Sequence, residues 1–348
     1  MKINKLGNIL LIIFVLLLII NVVSAEDSTL VGADNGKLML DTDSDSSISV
    51  AHANDGAKLG ATDSHETLKA GEVGNYTELQ SLIDSNPYGT ITLDKDYAYV
   101  DSDTVWMITL SPYITINGNG HKISGEYNTM SFYVPAGTGY VTLNNITFVN
   151  GNGNSMLWVN GNDCVINDCT FENNKASGYG GAVRMAGQFN TISNSKFIDN
   201  AADSGGSAVY LIGYNNTVTG STFENNDASS SGYGGAIFVG GHDNLVNDST
   251  FKSNKAPYGG AIYLYGNDNT VNNSTFENND DYNILYGGAI YMGGYDNLIN
   301  YSTFENNHAF VAGSVYLSGQ DNVINNSIMN LGVWIFYPIK LINLSLFF

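Results

Sequence analysis

An all-β fold, a right-handed parallel β-helix or solenoid with a short N-terminal capping helix, is what this sequence predicts, and three observations predict it. The first is a repeat marked by one phenylalanine per unit: Phe148, Phe171, Phe197, Phe223, Phe251, Phe276 and Phe304, with Met329 closing the series. The intervals are 23, 26, 26, 28, 25, 28 and 25 residues, so eight coils are visible. The second lies inside each unit. In Gly259–Asn279, Ile262 and Leu264 alternate with Ala261 and Tyr263, while Val271, Ser274 and Phe276 mark two further short segments separated by Asn or Gly. This gives about three short strands per unit, and strands that short are buried only by pairing in parallel with their equivalents one coil on. The third is composition. With 39 Gly and 46 Asn among 348 residues, beside 43% hydrophobic residues, the chain suits strands and tight turns and is poor in helix formers. Leucine-rich repeats need a Leu-x-x-Leu-x-Leu frame that is absent, a propeller blade needs ~40 residues, and a membrane barrel needs segments of about ten alternating residues.

Taken in order, residues 1–25 read as a secretory signal peptide: Lys2 and Lys5 precede the apolar run 9–20, and Val23-Ser24-Ala25 offers a cleavage site. That run is short for ~30 Å of hydrocarbon, so no membrane span is expected in the mature chain. Residues 26–72 are Asp-, Ser- and Gly-rich and read as a disordered acidic spacer. Residues 73–147 hold the N-terminal cap and first coils. There Thr77 and Gln80 fit a capping box, Leu79, Leu82 and Ile83 share one helical face, and Asn86-Pro87 ends the helix. Strand-like pieces follow at 91–93, 105–110 and 113–116. Residues 148–332 are the repeated coils. The apolar tail 333–348 is broken by Pro338 and Lys340 and reads as a cap, a poor anchor or the stump of a longer protein.

Charge excludes one class of partner. The chain has 13 Lys plus Arg against 33 Asp plus Glu, a net −20, and Arg184 is its single arginine. Neutralising a nucleic-acid backbone needs clustered cations, so nucleic acid is not a partner. The two cysteines, Cys164 and Cys169, make no disulfide framework; five residues apart in a strand they would start on opposite faces, either packed or bridged to each other.

Several columns run across the units. Asn190, Asn216, Asn244, Asn269, Asn297 and Asn322 form one, with Cys164 in the first place; Asn174, Asn200, Asn226, Asn254, Asn279 and Asn307 form another. Stacked amides can bond to the coils above and below, so both read as structural ladders. The doubled glycines, Gly180-Gly181 through Gly287-Gly288, read as corners needing φ > 0.

The paired signatures Gly-Gly-Ala-Ile/Val (at Gly181, Gly235, Gly260 and Gly288) and Phe-x-x-Asn resemble the repeats of chlamydial polymorphic outer-membrane proteins. The layout over about residues 75 to 330, with Ile91–Tyr97 and Gly118–Gly125 as its opening segment, more closely resembles the adhesin-like surface proteins of methanogenic archaea. The resemblance implies a pectate-lyase-like β-helix that is secreted or displayed at the cell surface, with cell-surface glycans or proteins as partners.

Candidate binding residues follow from the strand alternation. If Ile262 and Leu264 point inward, Tyr263 points out, which puts Tyr210, Phe238, Tyr263, Tyr291 and Tyr316 in an external column headed by Arg184. Tyr233, Tyr258 and Tyr286, with Tyr179, precede the glycine pairs. Such rings suit sugar or protein contacts, or serve only to stack neighbouring coils. Length variation is confined to one loop per unit, which places a candidate binding edge on one side of the solenoid. Sequons at Asn75, Asn145, Asn215, Asn247, Asn272, Asn273, Asn300, Asn325 and Asn343 are candidate glycan acceptors. Asp163, Asp243, Asp268, Asp296 and Asp321 align and could hold Ca²⁺, but no unit has the Gly-Gly-x-Gly-x-Asp signature, so no cofactor is expected. His121, His242 and His308 form no column. The acids fall in repeated positions and cations are few, so the sequence reads as a non-catalytic adhesin-like scaffold. A polysaccharide lyase or glycoside hydrolase on the same fold is the alternative.

Overall fold

The structure is a computed structural model that describes residues 73–128, 132–228, 232–279 and 285–330, with the backbone of Val333–Ile335, Lys340–Ile342 and Ser345–Phe347. The expected signal peptide, the spacer, Asn343 and the side chains of the tail lie outside the described residues. Within them the chain is a right-handed parallel β-helix with three long sheets of 11, 12 and 10 strands and one short helix. Each coil visits the sheets in turn. The first sheet runs from Thr90–Thr92 to Lys340–Ile342, the second from Gly74–Asn75 to Ser345–Phe347 and the third from Ile108–Thr109 to Val333–Ile335.

Three-residue strands make this work because each turns one residue type inward. Ile166, Ile192, Val218, Val246, Val271, Ile299 and Ile324 fill the first sheet's column, and all are buried. In the second sheet Phe148 through Phe304 pair residue for residue, as Phe171 with Phe197, with Met329 at the end. Their rings stack at 4.7–4.9 Å, so one aromatic spine runs through the core. Third-sheet strands turn two residues inward, as Ile262 and Leu264 do around Tyr263.

Corners need a reversal of direction in one or two residues, which left-handed φ supplies. Asp163, Asp243, Asp268, Asp296 and Asp321 sit at φ 54 to 57°, and Asn and Asp tolerate that region. The aligned aspartates are therefore turn formers. Among the described residues no group of three or more His, Cys, Asp or Glu is arranged to hold a metal ion.

The glycine pairs divide the work that the sequence assigned to both. Gly180, Gly234, Gly259 and Gly287 take φ of 66 to 71°, whereas the second glycine is needed for close approach: a Cβ on Gly235 would lie 2.1 Å from the Gly260 carbonyl oxygen. A glycine ladder that the sequence reading missed is tighter. A Cβ on Gly213, Gly241 or Gly266 would lie 1.7–1.8 Å from the carbonyl oxygen of the equivalent glycine one coil earlier.

Both asparagine ladders form as read. Asn254 is fully buried; its Oδ1 accepts from Asn226 N at 3.1 Å and Asn226 Nδ2 at 2.9 Å, while its Nδ2 donates to Phe223 O and Asn279 Oδ1, both at 3.0 Å. The other ladder locks the glycine column, since Asn216 Nδ2 donates to Gly187 O and Asn269 Nδ2 to Gly241 O, both at 3.0 Å. A third ladder was not read from sequence: Ser195, Ser221, Ser249, Ser274, Ser302 and Ser327 are buried, each hydroxyl accepting from the serine or cysteine N of the preceding coil.

The cysteines head two of these ladders. Cys164 N donates to Asn190 Oδ1 at 2.8 Å and Cys169 N to Ser195 Oγ at 3.1 Å. Both thiols are buried and free. They do not diverge as strand alternation expects, because Asp168 at φ 52° turns the chain between them. Burial pushes Cys164 up to about 11 and Cys169 up to about 12, against the ordinary 9.0. Both should therefore resist iodoacetamide at pH 8 in the native protein and react once it is unfolded, as intact mass would show. Since the folded values are raised, the matching stability is full below the unfolded thiol value and is lost as pH rises through 9 toward 11 and 12.

The helix α1, Tyr76–Asp84, buries Tyr76, Leu79 and Ile83 in the same core cluster as the coils. Its cap lies two residues earlier than the sequence reading placed it: Asn75 Oδ1 accepts from Glu78 N at 2.9 Å, and Asp103 takes the Tyr76 and Thr77 amides. No helix among the described residues is long and apolar enough to cross a membrane.

Candidate carbohydrate-binding face

The central residue of each third-sheet strand faces out, and register stacks these residues coil on coil. Tyr133, Trp158, Arg184, Tyr210, Phe238, Tyr263, Tyr291 and Tyr316 pair in sequence along the sheet. From Tyr210 to Tyr316 ring centroids are 4.7–5.3 Å apart. A second column, Tyr179, Tyr233, Tyr258 and Tyr286, runs beside it through isolated parallel bridges. It leans on the first: Tyr179 stacks on Tyr210 at 4.4 Å, and Tyr286 meets Tyr316 at 4.8 Å. The eight aromatic residues proposed from sequence thus meet on one wall.

They are less exposed than that reading held. The two columns cover each other, leaving most rings half-buried and Tyr263 9% exposed. Burial, with the neighbouring phenols of Tyr291 and Tyr233, raises the Tyr263 hydroxyl well above its usual value; burial does the same for Tyr210, with Tyr179 adding and Arg184 opposing. These hydroxyls stay neutral and can donate as well as accept. Arg184 lies within the stack, its guanidinium 5.0 Å from the Trp158 ring and 5.5 Å from Tyr210. Trp158 was not singled out in the sequence because Leu157-Trp158-Val159 lacks the Gly-Gly lead that aligns the later strands.

The variable loops do stack beside this wall. Lys175–Ala176 pairs with Ala201–Ala202 and with Asn152–Gly153, and Tyr258 bridges to Tyr286. Residues 229–231 and 280–284 of two loops lie outside the described residues.

The sequons divide. Asn247, Asn272, Asn300 and Asn325 are half-buried in an outward ladder, with Asn272 Nδ2 donating to Asn247 Oδ1 at 2.7 Å. The hydroxyls of their sequons are Ser249, Ser274, Ser302 and Ser327, all buried in the serine ladder. Asn75 is occupied as the α1 cap. Asn145, Asn215 and Asn273 are exposed.

Carboxylates also align. Glu224, Lys252, Glu277 and Glu305 are register partners at the outer end of the second sheet, so three carboxylates and an ammonium stand at successive strand spacings of ~4.8 Å.

The comparisons with known proteins concur on the fold. A family model for right-handed beta helix regions matches residues 181–338, and one for a pectate lyase-like adhesive domain matches residues 70–183. No curated protein sequence matches the chain. Among solved structures, a PL6 alginate lyase in complex with trisaccharide is similar at TM-score 0.54 and 12% identity, covering 79% of this chain and 60% of the lyase. The tailspike protein of E. coli bacteriophage HK620 in complex with pentasaccharide is similar at TM-score 0.50 and 14% identity, covering 76% of this chain and 61% of the tailspike. The chain therefore spans about three fifths of each, and identities this low show the fold alone.

The lyase match corrects one expectation, that the chain is not an enzyme. That reading dismissed its acids because they recur in repeated positions and form no motif. A β-helix sets residues about 25 apart in sequence side by side on adjacent coils, as it does Glu277 and Glu305, so repeated positions are no argument against catalytic groups.

Proposed function

We propose that this protein is an extracellular carbohydrate-engaging β-helix that holds a polysaccharide chain along the outer surface of its third sheet. The observation that carries the reading is the aromatic wall, in which rings follow one another at 4.7–5.3 Å from Tyr210 to Tyr316 with Arg184 at one end. Flat rings with hydroxyl rims stack on sugar faces, and a rigid sheet presents them without an ordering cost. The pectate lyase-like adhesive match and the oligosaccharide-bound solved structures support the same ligand class. Repeats resembling those of adhesin-like proteins support surface display, where exposed Asn145 and Asn215 are the glycan acceptors of choice.

A second reading, cleavage of the bound polysaccharide, is favoured by the similarity to the alginate lyase. One arrangement that could serve as a catalytic pair is Glu277 and Glu305, register partners on adjacent strands whose spacing approaches the ~5 Å separation of retaining glycosidases.

The test is retention of the full chain on immobilised polysaccharides, with assay of reducing ends and unsaturated sugars. Tyr258→Ala with Tyr286→Ala should cut retention at least tenfold while the protein stays folded, because these rings lie outside the core cluster. Retention unchanged in that variant would remove the wall from the reading. Product release that Glu277→Gln abolishes would establish the second reading.

A further inference from the structure

The corner between the third and first sheets carries an outlier. In every later coil this position is Asp, Asn or Phe, and Asn215, Asp243, Asp268, Asp296 and Asp321 take φ of 55 to 57° there. In the first three coils the residue is tyrosine: Tyr88 at φ 68°, Tyr113 at 62° and Tyr140 at 59°. A bulky side chain in the left-handed region is strained, whereas Asn and Asp adopt it readily. Inter-coil bonding fixes the conformation, since Tyr113 N donates to Gly139 O at 3.0 Å and Tyr140 N to Asn162 O at 3.1 Å, as Asp163 N does to Gln188 O at 3.1 Å. Core packing does not explain the tyrosines, which are 66%, 60% and 54% exposed. Tyr113 and Tyr140 present parallel rings, 5.0 Å apart and inclined by 5°. Strained, exposed and ordered aromatic groups are a feature of ligand sites more than of stability.

We propose that Tyr88, Tyr113 and Tyr140 form a second carbohydrate site, separate from the third-sheet wall, that takes an uncharged polysaccharide. It rests on the proposed function for the class of ligand but not for its place. Parallel rings one coil apart offer successive stacking platforms to successive sugar units. The absence of charge follows from the corner itself: neither this position nor the one before it carries Lys or Arg in any coil, and the same column continues as Asp163, Phe189, Asn215, Asp243, Asp268, Asp296 and Asp321. An acidic polysaccharide would meet that row of carboxylates and a chain of net charge −20.

The experiment is affinity electrophoresis of the full chain through gels containing hydroxyethylcellulose, galactomannan or amylopectin as uncharged probes, and alginate or polygalacturonate as acidic ones. The test variant is Tyr113→Asn with Tyr140→Asn, because asparagine already serves this corner at Asn215 with φ 55°. We expect at least a tenfold loss of affinity for an uncharged probe, with the unfolding temperature unchanged or raised. Full retention in this variant, or retention only by acidic probes, would overturn the second site. So would a matching fall in unfolding temperature, which would make the tyrosines structural, or a chain that captures proteins but none of these probes. Retention lost in the Tyr258→Ala, Tyr286→Ala variant but kept in the corner variant overturns this inference and leaves the proposed function standing; no retention of the wild-type chain by any probe overturns both.

Discussion

Replacing Gly241 by alanine should destabilise the β-helix by roughly 3 kcal/mol or more, at the upper end of overpacking costs. The added Cβ would come 1.8 Å from the Gly213 carbonyl oxygen and 2.8 Å from its carbon, both backbone atoms. No rotamer can relieve that contact, so the spacing between two coils must open, and the Asn244 side chain that donates to Gly213 O at 3.0 Å loses its geometry. Gly178→Ala is the control, because a Cβ there meets nothing within 4 Å, and surface changes of that kind stay within about 0.5 kcal/mol. Equilibrium urea unfolding of both variants checks the difference. Equal stabilities would mean that the coils are not held at the spacing described.

A comparable loss is expected from Asn254→Ala. The change leaves Asn226 N without its acceptor, costs Asn226 Nδ2 one of its two acceptors while its bond to Phe197 O at 3.0 Å remains, and removes the side-chain donor to Phe223 O, all in the interior. At ~1–3 kcal/mol per buried group left unpaired, the cost is roughly 3 kcal/mol or more. Asn254→Asp, which keeps the acceptor but removes the donor and buries a charge, should fare no better near neutral pH. Thermal unfolding followed by circular dichroism would read both, and a native-like midpoint for Asn254→Ala would show that the ladder is not structural.

The architecture was legible because repetition multiplies weak signals. One Phe-x-x-Asn is uninformative, but seven aligned phenylalanines set the register, and the structure pairs them one with the next. The Asn columns were legible for the same reason. The serine ladder was not: Ser274 marks a short segment in the sequence, but only the corner shows it and its equivalents turned inward. The glycine ladder was hidden because Gly213 and Gly241 stand alone in sequence, and only the stacked backbone reveals the space they vacate. The helix cap was misplaced because Asn75 and Thr77 are both good caps; Asp103, far along the chain, takes up the Thr77 amide. For the candidate site, alternation gave the outward direction of Tyr210 to Tyr316 but not their burial, which depends on how the second tyrosine column folds over the first. Catalysis was excluded too readily because side chains that meet across coils leave no local pattern.

The central claim, a polysaccharide held along the aromatic wall, is tested most directly by hydroxyl-radical footprinting of the full chain with and without a retained polysaccharide. Tyr258, Tyr286, Tyr291 and Tyr316 should be protected when the ligand is present, while Tyr301, 59% exposed on the corner between the first and second sheets, should label equally in both states. Protection at Tyr301 with the wall unchanged, or no protection anywhere, would contradict the account.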